Sequence, residues 1–84
     1  MKMSYEKVKQ ASNTIIGTKQ AIKAIRAGQV KELVVALDAE SRVTDSVIIL
    51  AKEVGVPVNL VESKRNLGKA CGIHVAAAVV AIVR

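Results

Sequence analysis

Apolar residues along this chain fall into short continuous runs, separated by segments in which they recur at helical spacing. Leu33-Val34-Val35-Ala36-Leu37 is unbroken, and so is the run from Val75 to Val83. Runs of this kind predict strands buried on both faces. Val56 to Val61 reads as a further strand, with Pro57 near its start, where a proline is tolerated. Thr14-Ile15-Ile16 is a short strand broken by Gly17. Between these runs the period changes. Ser4 can cap a first helix carrying Tyr5, Val8 and Ala11. Thr18 can cap a second, running to about Ala27 and ended by Gly28 as its C′ residue. Asp38 to Val43 reads as a loop. Thr44 or Asp45 then caps a third helix, with Val47, Leu50, Ala51 and Val54 on one face and Gly55 closing it. Ser63 to Gly72 reads as a short basic helix or turn. Helices alternating with strands predict an α/β fold, and the continuous strand runs require helices on both faces of the sheet.

The chain has 84 residues, which predicts one small domain over 1–84. Hydrophobic residues make up 51% of it, with no Trp or Phe and a single Tyr, so the core must be aliphatic. The run from Val75 to Val83 is nine residues long, whereas a membrane-spanning helix needs about 20; the run is expected to be a strand. Met1-Lys2-Met3-Ser4 opens into polar residues and offers no secretory signal. Cys71 is the lone cysteine, so no intramolecular disulfide is expected, and a reducing, cytoplasmic setting follows.

Charge narrows the partner. Thirteen Lys+Arg against 7 Asp+Glu give a net charge of +6, which favours a polyanion. A membrane surface would need a long basic amphipathic helix with bulky anchors, and none is present. The cations concentrate on the second helix. At about 100° per residue, Lys19, Gln20, Lys23 and Arg26 share an arc of roughly 120°, while Ile22 and Ile25 point elsewhere. A purely solvated face would more often mix signs to gain i,i+4 pairs. Gly17 before the helix permits close approach of a ligand backbone, and the free amides of the first turn add an anion site.

The segment Ser63-Lys64-Arg65-Asn66-Leu67-Gly68-Lys69-Ala70-Cys71-Gly72-Ile73-His74-Val75 carries three cations and two glycines. Ile73 reads as an exposed apolar residue able to pack against a base or sugar. Cys71 with His74 is a weak nucleophile pattern, because a free cysteine is usually a small buried hydrophobe and Gly72 breaks the helical register. As a metal site the pair lacks further ligands. Asp38 and Glu40 flank a strand end, where α/β active sites often lie, yet no base partner accompanies them. No cofactor-binding motif is present, and an enzyme is the least favoured class.

Three runs together carry a family resemblance: Ile16-Gly17-Thr18-Lys19-Gln20 with Lys23, then Leu33-Val34-Val35-Ala36 followed by Asp38-Ala39, and above all Leu67-Gly68-Lys69-Ala70-Cys71-Gly72-Ile73. The chain resembles the ribosomal protein L7Ae/L30e family of kink-turn-binding proteins, and among them the short bacterial members. The resemblance covers nearly the whole chain. It implies a three-layer α/β/α sandwich around a mixed four-stranded sheet, with the last strand antiparallel to its neighbours. It also implies a non-enzymatic, monomeric protein that binds a kink-turn, a sharp RNA bend with tandem sheared G·A pairs, in ribosomal RNA or a riboswitch-like leader.

The resemblance assigns roles by position. Gly17 and Thr18 match the helix start that lies against the RNA backbone. Lys19, Gln20 and Lys23 match positions that face the sheared pairs. Lys64 and Lys69 match basic positions near phosphates, and Ile73, His74 and Val75 match the loop packed on the flipped-out nucleotide. Arg26 and Glu40 complete the expected RNA-binding set. Lys19 stands where relatives carry Asn, Gln20 where they usually carry Glu, and His74 where an acid is frequent. A neutral Gln20 accepts guanine N–H groups less strongly than a carboxylate, and Lys19 has donors only. The missing aromatics fit this reading, since single-strand readers stack bases on Phe, Tyr or Trp. A protein-interaction module of the same fold, its basic stripe meeting an acidic partner, is the alternative.

Overall fold

The computed structural model describes residues 2–11 and 13–84. In chain order the elements are α1 (Lys2–Gln10), β1 (Thr14–Ile16), α2 (Thr18–Arg26), β2 (Val30–Ala36), α3 (Ser41–Glu53), β3 (Val58–Val61), α4 (Lys64–Ala70) and β4 (Val79–Val83). The strands form one four-stranded sheet in the order β1-β4-β2-β3. β2 and β3 run parallel, with Leu33 opposite Val58 and Ala36 opposite Val61. β4 is antiparallel to both neighbours, so that Val80 lies between Ile16 and Val34. This is the mixed sheet expected above, with the last strand reversed.

Strand alternation sorts the core into two layers. Leu33, Val35, Val79 and Ala81 face α2 and α3, where they meet Ala21, Ala24, Ile25, Val47 and Ala51. Val34, Ala36, Val80 and Ile82 face α1 and α4, where they meet Val8, Leu67 and Ala70. Both faces of the sheet are therefore covered by helices, as the continuous apolar runs require, and the result is an α/β/α sandwich. Fully burying each Val or Leu contributes roughly 1.5–3 kcal/mol, so the paired central strands β2 and β4 hold most of the stabilising area. Gly28, Gly55 and Gly72, at φ 71°, 79° and 79°, end α2, α3 and α4. At each, the glycine amide and the next amide turn back onto the last helical turn, as in Gly28 N–H to Ile25 O at 3.0 Å and Gln29 N–H to Ala24 O at 3.1 Å, the glycine-terminated Schellman arrangement.

Several helix starts differ from the sequence reading. Ser4 and Thr18 lie inside α1 and α2 rather than ahead of them, and Gly17 takes the N-cap position of α2. α3 starts at Ser41 behind Glu40, ahead of the expected Thr44 or Asp45. Thr44 is instead a buried residue of that helix, 5% exposed, its hydroxyl donating to the Glu40 carbonyl at 3.5 Å. A capping-type residue followed by a turn of polar ones looks like a boundary in sequence; here the hydroxyl is satisfied by back-bonding within the helix. Val54, expected on the buried face, is 53% exposed, one residue past the helix end. β4 begins at Val79 rather than Val75, because residues 72–78 cross the end of the sheet before pairing starts. β3 begins at Val58 rather than Val56, and β2 reaches back to Val30 while leaving Leu37 outside.

Candidate nucleic-acid interface

Strand pairing fixes which loops meet. At the end of β1, Gly17 N–H donates to Val79 O at 3.0 Å; at the end of β2, Ala36 N–H donates to Ala78 O at 2.9 Å and Leu37 N–H to Val61 O at 2.7 Å. The carboxyl ends of β1, β2 and β3 and the start of β4 thus share one edge of the sheet. It follows that α2, α3 and α4 all begin on that edge, together with the loop from Gly72 to Ala78. Helix N-termini carry partial positive charge, so this edge is electropositive before any side chain is counted.

The start of α2 is open. Gly17 holds φ 106° and ψ 149°, and no side chain caps the helix. Its carbonyl accepts the Ala21 amide at 2.9 Å, but the amides of Thr18, Lys19 and Gln20 have no protein acceptor among the described residues. The positive φ belongs to a region that L side chains rarely adopt, and a Cβ on Gly17 would meet nothing within 4 Å. The glycine is required by the backbone turn rather than by crowding. Lys19, Gln20 and Lys23 are exposed around this open end. Arg26 is exposed too, in the last turn, roughly 10 Å along the axis from Lys19 at 1.5 Å per residue; the structure does not bring it to the edge.

The start of α4 is closed. Ser63 Oγ accepts the Asn66 amide at 3.1 Å, and the Asp38 carboxylate accepts the Lys64 amide at 2.8 Å. The Tyr5 hydroxyl accepts the Ser63 amide at 3.1 Å and donates to the Ser63 carbonyl at 3.4 Å. Lys64 O in turn accepts the Ala77 amide at 3.0 Å. These bonds tie α1, the β2–α3 turn, α4 and the 72–78 loop into one unit. Asp38, considered above as a weak active-site residue, has this structural place instead. Glu40, exposed at the start of α3, pairs with Arg42 at 3.3 Å.

Gly68 sets the shape of the loop. A Cβ there would overlap the Val75 carbonyl oxygen and lie 3.1 Å from its carbon and 3.3 Å from Ala76 Cα. The close approach that glycine permits in this segment is made by the chain's own loop. Held this way, the loop presents His74 and Val75 outward, Val75 being 69% exposed. Ile73, expected to be exposed, is half-buried and packs against the α1/α4 layer. Arg65 and Lys69 sit across from the loop, and with Ile73, His74, Val75 and Ala76 they line a cleft of about 170 Å³. Lys64 is exposed at the head of the same helix. The sequence reading omitted Arg65, although its i,i+4 spacing from Lys69 places both on one outward face. It also omitted the exposed apolar Leu37 and Val43, at 62% and 41%, because an apolar run and a helical period give no sign of where pairing stops.

Cys71 is half-buried, and burial pushes its thiol pKa up, which lowers the thiolate fraction that a nucleophile needs. Among the described residues no group of three or more His, Cys, Asp or Glu side chains could hold a metal ion, and no helix is long and apolar enough to cross a membrane.

The same sandwich occurs in a solved structure. The solved structure of the Giardia lamblia 15.5kD RNA binding protein superposes with a TM-score of 0.87 at 25% identity, covering 100% of this chain and 76% of that one. A model of the ribosomal protein L7Ae/L30e/S12e/Gadd45 family matches residues 1–84, and the chain belongs to that family. It is 57% identical over 81 residues to an RNA-binding protein of Bacillus pumilus, covering 96% of this chain and 99% of the relative. It is 51% identical over 82 residues to the RNA-binding protein YbxF of Geobacillus stearothermophilus, covering 98% and 100%.

Proposed function

We propose that this protein binds RNA without catalysing a reaction, and that its target is a kink-turn whose sheared G·A pairs dock on the open start of α2. The observation that carries the reading is the contrast at one edge: the amides of Thr18, Lys19 and Gln20 are left free beside Lys19, Gln20 and Lys23, while at the start of α4 the Lys64 and Asn66 amides are taken by Asp38 and Ser63. Free amides at a helix start donate to phosphate oxygens, lysines reach guanine acceptors, and a glycine backbone allows close approach. The fixed 72–78 loop supplies an exposed Val75 and His74 for an unstacked nucleotide. The named RNA-binding relatives support the ligand class.

A protein that binds only the bent RNA shifts the RNA population toward the bend. The setting consistent with the reading is a cytoplasmic monomer on ribosomal RNA or a structured leader. Titration of a consensus kink-turn duplex, against the same duplex with Watson–Crick pairs replacing its G·A pairs, tests it at fixed salt. Tight binding to the first and weak binding to the second is expected. Equal binding would reduce the edge to nonspecific phosphate attraction, and no binding to either would leave the protein-partner reading.

A further inference from the structure

A second surface adjoins the edge and lies outside the site just proposed. Lys69 lines two depressions. One is the cleft beside His74 and Val75. The other is a groove of about 420 Å³ between α1 and α4, lined by Tyr5, Glu6, Lys9, Asn66, Lys69 and Ala70. The groove therefore continues the interface around the corner of the molecule, onto the α1/α4 layer.

Its lining combines two cations, an aromatic ring and a side-chain amide. Lys9 and Lys69 are exposed, and neither forms an ion pair among the described residues. Tyr5, the only aromatic residue in the chain, is half-buried, and its hydroxyl is held by both backbone groups of Ser63. That anchoring fixes the ring, so its position costs no ordering on binding. The Asn66 side-chain amide offers a donor and an acceptor, and the Glu6 carboxylate on the wall accepts only. A duplex does not fit a groove of this size, whereas one splayed nucleotide does.

We propose that this groove binds an unpaired nucleotide of the same RNA, its base against the Tyr5 ring and a phosphate between Lys9 and Lys69. The Glu6 carboxylate disfavours phosphate on its side and accepts a base N–H instead. The inference rests on the RNA reading of the edge and extends it: the chain engages single-stranded RNA that leaves the folded motif, as well as the motif itself.

Four kink-turn duplexes test it, each with a short unpaired extension at a different strand end, alongside the blunt duplex. The extension that reaches the groove is expected to tighten binding by about five- to tenfold, the gain from one stacked base and a nearby phosphate. Lys9→Gln, on the surface, is expected to remove most of that gain and to leave blunt-duplex affinity unchanged. Tyr5→Leu is expected to lose the gain, while Tyr5→Phe, which keeps the ring but not its anchor on Ser63, keeps part of it; a thermal melt confirms that each variant is folded. No gain from any extension, or a gain that survives Lys9→Gln, would overturn the groove assignment. Blunt-duplex binding against the G·A-replaced control reads the edge separately. Should that fail, binding of the extension strand alone reports on the groove: a loss in Lys9→Gln supports it, and equal binding overturns it.

Discussion

The starts of α2 and α4 lie on the same sheet edge and are finished in opposite ways. α4 has its first amides taken by Ser63 and Asp38, and the preceding turn is clamped by Tyr5. α2 begins at a glycine with no side-chain cap. A glycine at the N-cap costs only about a few tenths of a kcal/mol relative to a capping side chain. A capping side chain at Gly17 would occupy the amides and fill the space a ligand backbone must enter. The closed start is structural, whereas the open one leaves its amides to an acceptor from outside; α3, behind Glu40, also begins without a side-chain cap, but without the lysines that flank the start of α2. The same division runs through the glycines: Gly68 is filled by the protein's own Val75 carbonyl, whereas the space at Gly17 is empty.

The largest expected effect comes from uniting the two regions in one defect. Gly68→Ala drives a methyl into the Val75 backbone, which cannot swing aside as a side-chain tip would. A loss of about 1–3 kcal/mol in unfolding free energy is expected, with displacement of the 72–78 loop and weaker RNA binding. Unchanged stability would mean the loop is not held by this contact. Next, Lys23→Ala is expected to weaken kink-turn binding by roughly tenfold or more with stability unaltered. Lys52→Ala on α3 serves as its control and is expected to change neither; equal losses from both would remove the distinction between the α2 face and general positive charge.

Asp38→Ala acts on the closed helix start. It is expected to cost about 1 kcal/mol, or roughly 4–8 °C in Tm for a domain of this size. The blunt kink-turn should lose little affinity. A larger effect on binding than on melting would make Asp38 part of the RNA contact itself. The smallest effect is a gain. Gln20→Glu restores a charged acceptor for guanine N–H groups and is expected to tighten binding about two- to fivefold; weaker binding would place Gln20 against phosphate instead.

Much of this was legible in the sequence, for identifiable reasons. Continuous apolar runs at Leu33 to Leu37 and Val75 to Val83 pointed to strands covered on both faces, and β2 and β4 are such strands, although Leu37 and residues 75–78 lie outside them. The glycines at 28, 55 and 72 marked helix ends correctly because positive φ is a backbone demand that few other residues meet. That Lys19, Gln20 and Lys23 share one exposed face of α2 followed from angular spacing alone. What stayed hidden depended on contacts distant in sequence. Nothing local tells that the Tyr5 hydroxyl reaches Ser63, that Asp38 caps α4, or that Gly68 is crossed by the Val75 backbone. Ile73 looked exposed because it sits in a loop between Gly72 and His74, yet the crossing turns it into the α1/α4 core. The helix starts were misplaced where serine and threonine, capping residues by preference, lay within a helix.

Amide hydrogen exchange with and without a kink-turn RNA tests the central contrast most directly. The amides of Thr18, Lys19 and Gln20 should exchange fast in the free protein and become protected in the complex, while those of Lys64 and Asn66 are slow in both. Protection that appears at Lys64 and Asn66 and leaves Thr18, Lys19 and Gln20 unchanged would contradict the account.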